Sequence, residues 1–200
     1  MAVGNLSTTK EPTLPGQADF AGRILHTARW PHDGVDLTGR RVGVIGTGSS
    51  GMQMIPVIAP DVAHLTVFQR TPNFSIPAAN ALISDELDAE VKRGYRERRA
   101  AAQNSPSGLG FVPNRQSALD ATADERQALY EEAWTRLGFG FSLAYYDLLL
   151  NQEANDTAAD FIRAKIAEQV TDPAVRERLM PRGFPFGTKR PSVDSGYFPT

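Results

Sequence analysis

The chain contains 200 residues, with 21 Lys and Arg against 23 Asp and Glu, 3 His and no Cys. A formal net charge of −2 provides no general attraction to nucleic acid or to an anionic membrane, and the lack of thiols excludes disulfides, cysteine zinc sites and thiol nucleophiles. Since 41% of the residues are apolar, we expect a globular protein. We find neither a signal peptide nor an apolar run near the roughly 18 residues of a membrane span, so we expect a cytoplasmic location. We assign no metal site.

The first forty residues are polar and interrupted by proline and glycine, which is typical of a connector. The pattern changes at residue 41. Residues 41–45 form a short apolar run typical of a buried strand, residues 52–58 an apolar segment of helical length, and residues 65–68 a second β-rich run. This order predicts a βαβ unit and therefore an α/β fold with a parallel sheet and flanking helices.

Residues 84–180 are predicted to be mainly helical. Ser84 is placed to cap a charged helix that extends to about residue 102. Thr122 and Glu125 match a capping box that opens a second helix to about residue 137. We expect a break at 104–110 and further helices at about 142–150, 157–170 and 173–180. Residues 181–200 return to Gly, Pro and aromatic residues.

A G-x-G-x-x-G sequence lies between the first predicted strand and helix. Gly46 permits a tight turn, Gly48 lets the backbone approach a pyrophosphate, and Gly51 lets the helix pack closely on the strand. The N-terminus of the helix offers free N–H groups to that pyrophosphate, and the hydroxyls of Thr47, Ser49 and Ser50 add possible donors. The pattern therefore predicts a dinucleotide site, although a glycine turn that serves packing alone is the alternative.

The end of the second predicted strand distinguishes the two nicotinamide dinucleotides. An NAD site expects an acidic residue there, to accept a hydrogen bond from the ribose 2′-hydroxyl. This chain has Gln69, Arg70 and Thr71 instead. Arg70 can pair with a 2′-phosphate and Thr71 can donate to it. The residues favour NADP over NAD, and the alternative is that Arg70 is an ordinary surface arginine.

An aromatic and histidine-containing stretch precedes the βαβ unit. Residues 20–31 carry the pattern F-x-G-x-x-x-H-x-x-x-W-P. Taken alone, it predicts a connector anchored by aromatic burial, in which the His26 imidazole bonds to nearby backbone. The pattern also resembles the fingerprint of the Baeyer–Villiger monooxygenases, which use FAD and NADPH to insert oxygen beside a ketone carbonyl. The resemblance continues through residues 46–51, 69–73 and 183–190.

The resemblance implies a role for each matching residue. The stretch from Thr47 through Met52 to Gln53 would bind the pyrophosphate of NADPH, and Arg70, Thr71 and Lys189 would bind its 2′-phosphate. Arg190 would be the catalytic residue, since a permanently charged guanidinium beside the flavin and nicotinamide stabilises the negative charge of the oxygenated flavin. Without the resemblance, Lys189 and Arg190 would be interpreted as a surface basic pair. His26 and Trp30 would couple cofactor state to domain position.

The resemblance also implies a second dinucleotide-binding domain, for FAD, whose glycine motif this chain lacks. We expect residues 1–40 to be a connector with a stub of that domain, which Met1–Ser7 resemble. Residues 41–83 and 181–200 would form a Rossmann-like NADP-binding domain, and residues 84–180 a helical insertion. The predicted protein is the NADPH-binding domain of a Baeyer–Villiger monooxygenase acting on a ketone and O2, with the FAD domain as its partner and without activity on its own. The alternatives are an N- or S-oxygenating flavin-containing monooxygenase, which usually lacks the Trp-Pro ending, and a stand-alone, non-catalytic NADP-binding module.

Overall fold

The computed structural model describes residues 8–105, 108, 114–136 and 138–200. The expected stub of the FAD domain at Met1–Ser7, part of the expected break at 104–110 and the expected helix end near Leu137 lie outside these residues. Within the described part of the chain, no helix is long and apolar enough to cross a bilayer.

The predicted βαβ unit is confirmed. Strand β1 (Arg41–Ile45) is followed by helix α1 (Ser49–Ile58) and strand β2 (His64–Phe68), and the two strands pair in parallel with Arg41 opposite His64 and Ile45 opposite Phe68. Helix α1 begins three residues earlier than its apolar segment because the turn residues Ser49–Gly51 already adopt helical geometry. The carboxyl ends of both strands therefore meet at one edge of the sheet.

The two faces of this sheet differ. Val42, Val44, Leu65 and Val67 pack against the core, on the face that α1 helps to cover. The opposite face is exposed, with Ile45 at 72% and Phe68 at 57% exposure.

A second parallel pair was not predicted from the sequence. Strands β3 (Ser75–Pro77) and β4 (Ser192–Asp194) pair with Ser75 opposite Ser192. Each has only three residues, too few for a recognisable alternation, and each forms only because the other lies beside it. The pairing joins the chain shortly after β2 to its last ten residues.

The helical region between β3 and β4 differs in part from the prediction. The helices are α2 (Asp85–Arg93), α3 (Tyr95–Gln103), α4 (Ala123–Arg136), α5 (Gln152–Gln169) and α6 (Pro173–Leu179). The single helix expected over 85–102 is wrong, because Gly94 leaves helical geometry at φ −92° and ψ 15°. A glycine inside a helix lowers its stability by about 1 kcal/mol relative to alanine, so the predicted helix breaks most easily at this position.

The helix expected at 142–150 is also wrong. A 3-10 turn over Gly138–Leu143 is followed by turns, and the side chain of Asp147 holds them by accepting from Ser117 Oγ at 2.5 Å and from the N–H of Ala118 at 3.0 Å. These partners lie some thirty residues away, beyond the reach of local sequence patterns. Helix α5 then starts five residues before the expected position, since Asn151 caps it by accepting from Glu153 and Ala154.

Two predicted caps are confirmed. Ser84 accepts from the N–H of Leu87 at 3.2 Å at the start of α2. At the start of α4, Glu125 accepts from the N–H of Thr122 at 2.8 Å while its own N–H donates to the Thr122 hydroxyl at 3.3 Å, which is the reciprocal arrangement of a capping box.

An aromatic cluster forms the centre of the core. Phe74, just before β3, contacts Phe186 edge-on with 5.6 Å between the ring centroids. Phe186 contacts Phe141 at 5.8 Å, and Phe141 stacks on Phe161 of α5 at 5.7 Å. The cluster therefore links the end of the βαβ unit, the helical region and the segment before β4.

Candidate functional site

The glycine turn follows β1 directly. Gly46 adopts a φ of +96°, and its N–H donates to the carbonyl of Phe68 at 2.9 Å, which holds the ends of β1 and β2 together. A Cβ at Gly51 would collide with the carbonyl oxygen of Gly46, so only glycine allows α1 to approach the turn this closely. A Cβ at Gly48 would meet nothing within 4 Å. The backbone at Gly48 is therefore open on its outer side.

The N-terminus of α1 is free of side-chain caps. Its N-cap residue is Gly48, and the first helical bond runs from the N–H of Met52 to the Gly48 carbonyl at 2.9 Å. Ser49, Ser50 and Gln53 are exposed, whereas Met52 is only 2% exposed and packs in the core. Uncapped N–H groups and the positive end of the helix dipole make such a terminus suited to an anion.

Thr47 is buried, and its hydroxyl has a protein partner. It donates to Oε1 of Gln69 at 3.1 Å, and Nε2 of Gln69 donates to the carbonyl of Arg178 in α6 at 3.0 Å. The hydroxyl donors that face solvent at this turn are therefore those of Ser49 and Ser50. We gave Gln69 no role from the sequence, although a polar residue directly after a strand and beside Arg70 was a usable signal.

The segment after β2, which contains Arg70, lies next to the segment before β4, which contains Lys189 and Arg190. Nδ2 of Asn73 donates to the carbonyl of Arg190 at 3.1 Å across 117 residues, and the N–H of Ser192 donates to the carbonyl of Phe74 at 3.0 Å. Arg70 lies three residues before Asn73. Arg70 and the pair Lys189–Arg190 therefore each lie a few residues before one of the two paired strands, β3 and β4. We did not predict the role of Asn73.

The cations of these segments face solvent. Arg70, Lys189 and Arg190 are exposed, and Thr71 is half-buried. Lys189 Nζ lies 4.4 Å from the centroid of the Phe184 ring, close enough for a cation–π contact that limits where the side chain extends. In the part of the chain that the structure describes, Arg70, Lys189 and Arg190 form no salt bridge. Their charge is available to an anionic ligand.

The histidine of the aromatic stretch contributes a local bond. His26 Nδ1 accepts from the N–H of Ala28 at 3.1 Å and caps the 3-10 turn Thr27–Arg29. The expected bond between the imidazole and nearby backbone is confirmed. Trp30, which ends this turn, is half-buried.

No family model matches the chain. A Baeyer–Villiger monooxygenase from Pseudooceanicola batsensis is 43% identical over 199 residues, which are 98% of this chain and 36% of that protein. A phenazine N-monooxygenase from Lysobacter antibioticus is 39% identical over 202 residues, which are 100% of this chain and 37% of that protein.

Solved structures are likewise similar to nearly all of this chain over a little more than a third of their own length. An oxidised steroid monooxygenase bound to NADP is 50% identical with a TM-score of 0.93, over 98% of this chain and 38% of that one. The monooxygenase OTEMO in complex with FAD and NADP is 38% identical with a TM-score of 0.94, over 99% of this chain and 38% of that one. The chain thus spans a little over a third of the length of the proteins it matches. With this identity and this agreement in fold along almost its whole length, the chain is similar to a little over a third of a Baeyer–Villiger monooxygenase.

Proposed function

We propose that this chain is the NADPH-binding region of a flavin-dependent Baeyer–Villiger monooxygenase. The observation that carries the proposal is the Asn73–Arg190 bond, because it joins the segment after β2 to the segment before β4. Exposed cations lie on both segments, Arg70 on the first and Lys189 and Arg190 on the second. The N–H of Gly46 donates to the carbonyl of Phe68, two residues before Arg70, which places the glycine turn and the uncapped N-terminus of α1 next to the first segment. A dinucleotide with a 2′-phosphate presents anions that match both features.

The proposal divides the chain into three parts. Residues 41–83 and 181–200 form a Rossmann-like NADP-binding domain, residues 84–180 form a helical insertion, and residues 1–40 connect this region to an FAD domain. The pairing of β3 with β4 supports the division, since all the helices from α2 to α6 lie between these strands in sequence.

The residues around the turn have the properties that NADP requires. The open backbone at Gly48 and the exposed Ser49, Ser50 and Gln53 would receive the pyrophosphate. Arg70, Thr71 and Lys189 would bind the 2′-phosphate, Arg70 through a bidentate pair and Lys189 as a point charge.

Arg190 would be the catalytic cation. FAD, bound by the larger protein, would supply the oxygen-activating chemistry. The backbone of Arg190 is held by Asn73, while its guanidinium faces solvent, where it would lie beside the flavin and the nicotinamide. A guanidinium remains charged at every physiological pH, so it would stabilise negative charge without a proton transfer.

The proposed partners are a ketone, O2 and the FAD domain of the same protein. The uncovered face of the β1–β2 sheet supports an intramolecular partner, because parallel sheets are normally covered on both faces. The cytoplasmic location stays a prediction from the sequence.

Arg70→Ala in the full-length protein tests the cofactor assignment. Loss of a charge-assisted phosphate contact of about 1.5–3 kcal/mol predicts a KM for NADPH that rises about 10- to 100-fold, with little change for NADH. The rate of flavin reduction against each cofactor concentration measures this. Arg136→Ala is the matched control, since Arg136 is exposed on α4 and pairs with Glu132. Equal losses for NADPH and NADH would contradict the assignment.

N-oxygenation is a second candidate, because a relative of 39% identity is a phenazine N-monooxygenase. Trp30-Pro31 favours the Baeyer–Villiger reaction. Product analysis with a cyclic ketone and with an aromatic N-heterocycle distinguishes the two: an ester or lactone supports the first candidate, and an N-oxide alone supports the second.

A further inference from the structure

One buried amide on α5 holds the segment that carries Lys189 and Arg190. Asn155 is 4% exposed and lies on the apolar stripe of the helix, with Ala158, Ala159 and Ile162. Its Nδ2 donates to the carbonyl of Leu148 and to the carbonyl of Phe186, both at 2.7 Å. Its Oδ1 accepts from the N–H of Phe186 at 2.9 Å. A single side chain thus satisfies both backbone polar groups of Phe186.

The segment fixed in this way has no regular secondary structure of its own. Gly183 and Gly187 adopt positive φ angles of 79° and 86° on either side of Phe186. A backbone with such turns depends on contacts with other parts of the chain for its position. The contacts at Phe186 are the two bonds to Asn155 and the burial of its ring against Phe74 and Phe141.

Two further bonds fix the segment at its ends. Arg163 Nε donates to the carbonyl of Pro181 at 2.9 Å, and Asn73 Nδ2 donates to the carbonyl of Arg190 at 3.1 Å. Lys189 lies between the Asn155 and Asn73 attachments, three residues after Phe186. Movement at Phe186 would therefore be transmitted to Lys189 and to its contact with the Phe184 ring.

We propose that Asn155 is a positioning residue for the proposed 2′-phosphate site, because its two bonds to the Phe186 backbone set the position of Lys189. This inference rests on the proposed function. Asn155 touches neither the cofactor nor the substrate; it acts through the main chain of residues 186–189. An amide is required because the site needs a donor toward one carbonyl and an acceptor toward one N–H of the same residue.

Asn155→Asp is the most informative change. It keeps the size of the side chain but replaces the donating NH2 with an acceptor, so the carbonyls of Leu148 and Phe186 lose their donor. Asn155→Ala is the second variant and introduces no charge. Asn151→Ala is the matched control, because it removes the N-cap of the same helix and leaves the Phe186 bonds in place.

The experiment measures the KM for NADPH and for NADH, together with the Tm, of the full-length protein. We expect both Asn155 variants to raise the KM for NADPH about tenfold, because a displaced Lys189 would lose one charge-assisted contact with the 2′-phosphate. The KM for NADH should change less than twofold, since NADH has no 2′-phosphate. Asn151→Ala lowers the Tm and leaves the ratio of the two KM values unchanged.

The proposal is overturned if the Asn155 variants lower the Tm without changing the ratio, or if both fail to give folded protein, since either result would assign Asn155 a purely structural role. Arg70→Ala, measured in parallel, separates this failure from that of the proposed function. A changed ratio in Arg70→Ala with an unchanged ratio in the Asn155 variants rejects only the positioning role. An unchanged ratio in Arg70→Ala rejects the proposed function itself.

Discussion

At the scale of single residues, two glycines of the turn serve different purposes: Gly51 allows close packing and Gly48 leaves space for a ligand. Gly51 has no room for a Cβ because the carbonyl oxygen of Gly46 occupies that position. Gly48 has open space at the corresponding point and a φ of −74°, which any residue can adopt. Two glycines of one motif are thus present for different physical reasons, one inside the fold and one at the proposed pyrophosphate.

Alanine should therefore affect stability at Gly51 and NADPH binding at Gly48. Gly51→Ala forces the turn and α1 apart and is expected to lower the free energy of unfolding by about 1–3 kcal/mol. Gly48→Ala should change the free energy of unfolding by less than about 1 kcal/mol, which is the difference between Gly and Ala at an N-cap. It should weaken NADPH binding, because the added methyl group points into the open space. Thermal unfolding and NADPH titration of both variants measure this, and equal losses of stability would contradict the distinction.

At the scale of elements, the helices begin where short polar side chains satisfy their first N–H groups. The capping box of α4 is the clearest case, since Glu125 and Thr122 bond reciprocally. The N–H of Thr122, and then its hydroxyl, lower the pKa of Glu125 below its ordinary value. The start of α4 therefore depends on an ionised carboxylate.

This cap predicts a pH dependence of stability. Because the pKa of Glu125 is lower in the folded than in the unfolded state, its ionised form stabilises the fold above the unfolded value of 4.5, and this contribution is lost as the pH falls through the folded value. Glu125→Gln keeps an acceptor but does not titrate, so its stability should fall less steeply between about pH 5 and pH 3. Denaturant unfolding across this range measures the difference. Parallel curves for the two proteins would show that the cap does not titrate with folding.

At the scale of the whole molecule, the β1–β2 sheet has one covered and one open face. Ile45 and Phe68 lie side by side on the open face, and the Phe68 ring lies 3.2 Å from where a Cβ at Gly43 would stand. An apolar face of a parallel sheet is normally buried. The relatives extend well beyond the aligned region, so chain is available in them to cover it.

Ile45→Thr tests whether the larger protein covers this face. The change keeps a β-branched side chain but adds a hydroxyl, so burial of the site predicts a loss of about 1–2 kcal/mol in the free energy of unfolding of the full-length protein. In the isolated chain the same change should reduce self-association, measured by light scattering. Val57→Thr is the control, since Val57 is 72% exposed on α1. Equal effects of the two changes would argue against a covered sheet face.

The sequence by itself determined the parts of this protein that depend on neighbours along the chain. The βαβ unit, the glycine turn of residues 46–51 and the caps at Ser84 and Thr122 follow from periodicity, from backbone freedom and from side chains that bond within a few residues. The pattern of residues 20–31 indicated the Baeyer–Villiger monooxygenases, to which the chain is similar. The roles of Arg70, Thr71, Lys189 and Arg190 stay predictions.

Only the tertiary structure decided the features whose partners lie far apart in sequence. The β3–β4 pair, the Asn73–Arg190 bond and the attachment of Phe186 to Asn155 each join segments separated by 31 residues or more. The turns at 142–150 replaced an expected helix because Asp147 bonds to residues 117 and 118. Asn155 did leave a signal, as a polar residue on an apolar helical stripe, but its partner was unknowable until α5 packed against the chain before β4. Local patterns specify which elements form, whereas the position of the exposed cations depends on bonds that exist only once those elements have packed.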